Sequence, residues 1–116
     1  MCGKSEHSGR KRELNDGLTA KARSGIREVL SEVPQIRKAV LFGSRAMGTW
    51  RPASDIDLAL EGEKLDMSVL LTLKARLADL NLPVEVDLVI RGRITNVDLE
   101  RHIQVYGREW FSRSLR

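Results

Sequence analysis

From Leu18 onward, apolar residues return every three or four positions: Leu18, Ala22, Ile26, Val29, Leu30 and Val33. That spacing lays them along one stripe of a helix whose other faces are polar. Asn15 or Asp16 can cap its start and Pro34 stops it, while Gly25 weakens its middle by about 1 kcal/mol relative to alanine. Ala39 to Phe42 is a different signal, a short unbroken apolar run of the kind that forms a buried strand. Gly43-Ser44 ends that run at a strand-to-helix junction, where Ser44 can cap a short helix. A second strand runs from Asp55 to Leu60, with Asp55, Asp57 and Ala59 on one face and Ile56, Leu58 and Leu60 on the other. Leu70, Leu73, Leu77 and Leu80, with Val69 and Ala78, make a second helical stripe; Asp66 or Ser68 caps it, and Asn81 and Pro83 mark its end. Val84 to Ile90 reads as a third strand, with Val84, Val86 and Leu88 facing one way and Glu85 and Asp87 the other. Arg91-Gly92-Arg93 is a basic turn, Asn96 caps a helix in which Leu99, Ile103 and Tyr106 share a face, and Trp110-Phe111 adds a last short strand after Gly107. The predicted order is therefore helix, strand, short helix, strand, helix, strand, helix, an α/β pattern.

Composition narrows the class. A chain of 116 residues with 41% hydrophobic and 31% charged residues fits one globular domain. Cys2 is the sole cysteine, so no intrachain disulfide forms and a reducing compartment is expected. No apolar run nears the ~20 residues of a membrane span, and the basic N-terminus lacks the apolar core of a signal peptide, so the expected location is the cytoplasm with no membrane partner. Residues 1–16 are polar and carry Lys4, Arg10, Lys11 and Arg12; they read as a flexible basic arm before a folded domain at 17–116. The net charge of +4 lies largely at the two ends, with Arg108, Arg113 and Arg116 late in the chain. Aromatic residues are not interleaved with these cations, so nucleic acid is not the expected partner, and the charge reads as solubilising. His102 sits among charged neighbours and reads as a surface residue.

The candidate chemistry lies between residues 43 and 57. Two carboxylates on one face of an apolar strand are costly to bury unless a cation sits between them, and oxygen ligands suit a hard divalent ion such as magnesium. Gly43 lets a ligand approach the backbone because no Cβ intrudes, and the amides after Ser44 suit phosphate oxygens. Arg45 and Arg51 flank this corner and are candidates for phosphate or acceptor contacts, or for plain surface residues. Glu85 and Asp87 remain rivals for a third ligand. The sequence after Asp55 lacks the ligands of an EF-hand loop, and no Gly-Lys-Ser/Thr of a Walker loop is present.

Gly43-Ser44, then Asp55-x-Asp57 after ten intervening residues, and a later Asp87 within an apolar strand resemble the signature of the DNA polymerase beta nucleotidyltransferase superfamily. Over roughly Leu18 to Phe111 the chain is similar to the minimal nucleotidyltransferases. The resemblance implies a small mixed sheet with helices mainly on one face. It also implies transfer of AMP from ATP to a hydroxyl, with Asp55, Asp57 and Asp87 catalytic and binding two magnesium ions, and Gly43, Ser44 and Arg45 holding the nucleotide. It favours Asp87 over Glu85. Small members of this kind resemble the antitoxin half of toxin–antitoxin pairs, whose partner is a helical HEPN-type toxin modified on a tyrosine. The chain has no room for the added domains of a polymerase. A non-catalytic binding module, or a transferase acting on a small-molecule hydroxyl such as that of an aminoglycoside, is the alternative, and self-association stays open.

Overall fold

The computed structural model describes residues 16–113. The arm expected at 1–16 lies outside them except for Asp16. The elements are α1 (Ala20–Ser31), β1 (Ile36–Phe42), α2 (Ser44–Met47), β2 (Ile56–Gly62), α3 (Met67–Ala78), β3 (Val86–Ile90), a 3-10 turn (Arg91–Arg93), α4 (Val97–Tyr106) and β4 (Arg108–Ser112). The predicted order holds, with Trp110-Phe111 inside β4.

The strands form one sheet in the order β3-β2-β1-β4. β1 pairs antiparallel with both β2 and β4, whereas β2 and β3 run parallel. Parallel neighbours need a crossover of a dozen or more residues, and α3 supplies it. The α/β fold with a mixed sheet is as expected. α1 and α3 cover one face, burying Ile26, Leu30, Leu73 and Leu77 against Ala39, Leu41, Ile56, Leu58 and Leu60. The opposite face is covered by α4, whose Ile103 packs on Val40, Phe42 and Ala59. Because strand side chains alternate, Asp57 lies on the same face as Ala59, beneath the side that α4 only partly covers.

Three long helices start on a side-chain cap of the same design. Thr19, Asp66 and Asn96 each accept a hydrogen bond from the amide three residues on, those of Ala22, Val69 and Leu99. Asp66 and Asn96 were expected. The first is a correction: Asp16 stands outside α1, its carboxylate accepting from the Leu18 amide and the Arg23 guanidinium, both at 3.0 Å, and Thr19 takes the cap. Ser44 is likewise the first residue of α2, and Gly43 occupies its cap position. Tyr106 does not join the α4 core stripe; it is the last residue of the helix and is 46% exposed. Among the described residues, no helix is long and apolar enough to cross a membrane.

Candidate active site

β1 delivers the chain to a sharp corner. Gly43 has φ +79° and ψ −160°, a combination essentially confined to glycine. A Cβ there would stand 2.3 Å from Asp57 Oδ2, so the position has no room for a side chain either. Phe42 and Asp57 are directly paired across β1 and β2, which sets the carboxylate against the corner. Ser44 then opens α2, and the amides of Ala46 and Met47 return to the Gly43 carbonyl, each at 3.1 Å. The corner thus turns within one residue and exposes the start of a helical turn beside an acid.

The third acid arrives by register. In the parallel ladder Asp57 is the direct partner of Asp87, which puts both side chains on one face at the same level. Asp55 immediately precedes β2. Asp55 and Asp87 are exposed and Asp57 is half-buried. Burial first, then the charge of Asp87, then that of Asp55, push the Asp57 carboxyl from 3.8 up to about 6. Asp57 therefore lies within electrostatic reach of both of the other acids. Glu85 falls before the start of β3; its carbonyl accepts from the Ile56 amide at 2.9 Å and its side chain is exposed. Asp87 is among the charges that raise the Asp57 carboxyl, and Glu85 is not.

Arg45 departs from expectation. It is 3% exposed, and its guanidinium donates to the carbonyls of Asp16 at 2.8 Å and of Ser54 at 2.9 and 3.1 Å, while stacking 5.4 Å from the Trp50 ring centroid. A guanidinium so engaged has its donors committed to the backbone carbonyls of Asp16, Pro52 and Ser54. What it does is fix the 48–55 loop, and through it Asp55, against the start of the folded chain. Sequence could not separate this from a phosphate-binding arginine, because both want an arginine next to the glycine–serine turn. Arg51 is exposed, and its amide donates to Ser54 Oγ at 2.8 Å.

His102 corrects the reading of a surface residue. It is half-buried, and the Gly43 amide donates to its Nε2 at 2.9 Å. The helical period did contain the signal: Leu99, His102, Ile103 and Tyr106 follow the i, i+3, i+4, i+7 pattern of one face.

Among the described residues, no three acidic, imidazole or thiol groups are grouped as a ready-made metal site. The oxygen-only set and the raised Asp57 carboxyl still fit magnesium, which is held by one or two carboxylates together with substrate phosphates rather than by a closed protein cage.

Comparison with known proteins places this geometry. The family model described as polymerase beta, nucleotidyltransferase, matches residues 24–115. A Methanocaldococcus jannaschii protein named as a candidate protein adenylyltransferase, MJ0128, is 34% identical over 79 residues, which is 67% of this chain and 80% of that one. A chain in the crystal structure of a toxin–antitoxin with AMP-PNP is 28% identical with a TM-score of 0.66, over 79% of this chain and 74% of that chain. A chain from the complex of a tri-AMPylated Shewanella oneidensis HEPN toxin with an MNT antitoxin shares the fold, with a TM-score of 0.60 at 24% identity over 79% of this chain and 71% of its own. With the glycine–serine corner, the paired acids and the family match in agreement, the chain belongs to the polymerase beta nucleotidyltransferase family and is a nucleotidyltransferase.

Proposed function

We propose that this nucleotidyltransferase moves AMP from ATP to a hydroxyl, and that the acceptor is a tyrosine of a HEPN-type toxin for which the chain is the antitoxin. The observation that carries the reading is the pairing of Asp57 with Asp87 directly beside the Gly43 corner. The likeness to a candidate protein adenylyltransferase and to a toxin–antitoxin bound to AMP-PNP supports ATP as donor and a protein as acceptor.

Adenylyl transfer forms a bond from the acceptor oxygen to the α phosphorus while pyrophosphate leaves. Its barrier is dominated by alignment and by crowded negative charge. Gly43 and Ser44 hold the β and γ phosphates, the glycine by letting the backbone come close and the serine by its amide and hydroxyl. Asp55, Asp57 and Asp87 would hold two magnesium ions, which when bound neutralise phosphate charge and lower the pKa of the acceptor hydroxyl. Asp87 lies on the edge strand β3 and is exposed, so an acceptor can reach that side of the acidic group without passing through the core. Arg45 contributes by holding the loop that ends at Asp55.

The test is to incubate the protein with labelled ATP, magnesium and the product of the neighbouring gene. Label should appear on a tyrosine of that product, and should vanish with Asp57→Asn and with Asp87→Asn. If Asp55→Asn or Asp57→Asn neutralises the neighbour as well as the unaltered protein does, the chain acts by binding and the transferase reading of its antitoxin role is wrong. Label on a small hydroxyl compound instead would refute the protein acceptor alone.

A further inference from the structure

We propose that His102 is a positioning residue: through Nε2 it holds the Gly43 amide from behind and so fixes the glycine–serine corner for the triphosphate. This rests on the reading of that corner as the nucleotide site. An amide can only donate, so Nε2 must present its lone pair and the ring proton must sit on Nδ1. The bond joins residues 59 positions apart and ties α4 to the end of β1. Neighbouring rings set the imidazole. Phe42 meets it edge-on at 6.1 Å between centroids, and the Tyr106 ring lies 5.2 Å from it at a tilt of 39°. The next residue, Ile103, is 2% exposed in the core of that face, so the helix that carries the ring is itself anchored.

The tie matters because Gly43 needs holding. Without a side chain its backbone has a wide range of conformations open to it, and an oriented acceptor on the amide holds it in the one the corner uses. The same bond removes the Gly43 amide from the set of phosphate donors. The donors that remain at the corner then begin with Ser44, and the role of Gly43 is close approach alone.

Two variants and two kinds of readout test this. His102→Leu keeps the apolar contacts and removes the acceptor; it should raise the KM for ATP by about tenfold with a smaller change in kcat, the cost of an ordered donor left without its partner. His102→Gln retains a side-chain acceptor and should recover most of that loss. Independently of activity, nitrogen-15 spectra of labelled histidine should show Nδ1 protonated, and the Gly43 amide should exchange slowly in the unaltered protein and in His102→Gln but fast in His102→Leu. An unchanged ATP KM in His102→Leu overturns the proposal, and so does a Gly43 amide equally protected in both variants. A protein that shows these amide and imidazole signals yet binds no ATP would instead refute the nucleotide reading of the corner, which separates the two failures.

Discussion

Replacing Asp57 by asparagine should make the metal-free protein more stable near neutral pH while abolishing transfer. In the folded chain the Asp57 carboxyl titrates at about 6 instead of 3.8, because it is partly buried and faces Asp87 and Asp55. Two pKa units correspond to about 3 kcal/mol, and partial solvent access and the coupling of the group bring this to about 2 kcal/mol. The sign follows from which state ionises more easily. Below about pH 4 the group is protonated whether the chain is folded or not, so its favourable contribution to stability is fully present. As pH rises towards about 6 the unfolded chain ionises first, the folded chain resists, and that stability is lost. Asparagine has the same shape and no charge to resist. In urea melts with a chelator present, Asp57→Asn should therefore exceed the unaltered protein by about 2 kcal/mol at about pH 7.5, and the gap should close by about pH 4. For a domain of this size that is a rise in melting temperature of about 8–10 °C at neutral pH. A gap independent of pH, or an asparagine variant less stable at neutral pH, would falsify the account of the acidic group.

The converse should hold with ligand: magnesium and ATP at about a hundred times their Kd should stabilise the unaltered protein by about 2.7 kcal/mol and leave Asp57→Asn nearly unmoved in the same melts. Gly43→Ala should cost about 3 kcal/mol and eliminate activity, because the new methyl collides with Asp57 and the backbone leaves its permitted region; thermal unfolding and an ATP assay check both. Arg45→Met should lower stability by about 2–4 kcal/mol through the carbonyls of Asp16 and Ser54 that lose their donor, with Arg45→Lys only a partial rescue; an unaltered melt combined with a raised KM for ATP would instead mark Arg45 as a phosphate ligand. Thr19→Ala should remove about 1 kcal/mol by uncapping α1 and leave the ATP KM unchanged, a contrast visible in parallel melts and kinetics.

What the sequence made legible was whatever depended on local period. Helical stripes, the unbroken run before Gly43 and the alternation around Asp57 each follow from a handful of adjacent residues, and each lies where it was expected, apart from Tyr106 at the end of the α4 stripe. The carboxylates were legible as types and spacings, and their meeting only through the family resemblance, since it is the parallel ladder that brings Asp87 level with Asp57. The buried contacts of Arg45 and His102 were not legible for a related reason. The first finds its partners in the loop that folds back over it and near the start of the described chain, and the second reaches a glycine far away in sequence; neither contact leaves a local trace. Cap choice failed at α1 because Asp16, an equally good cap by type, is recruited by Arg23 and Leu18 instead.

The level pairing of Asp57 with Asp87 also makes the connector between α3 and β3 a gauge. Shifting β3 along its neighbour by one position would invert its pleat, swing Asp87 beneath the sheet and drive apolar Val86 or Leu88 upward in its stead. The penalty for such a slip is the unburying of Val86, so a greasy side chain with no part in the reaction guards the alignment of an acid that has one.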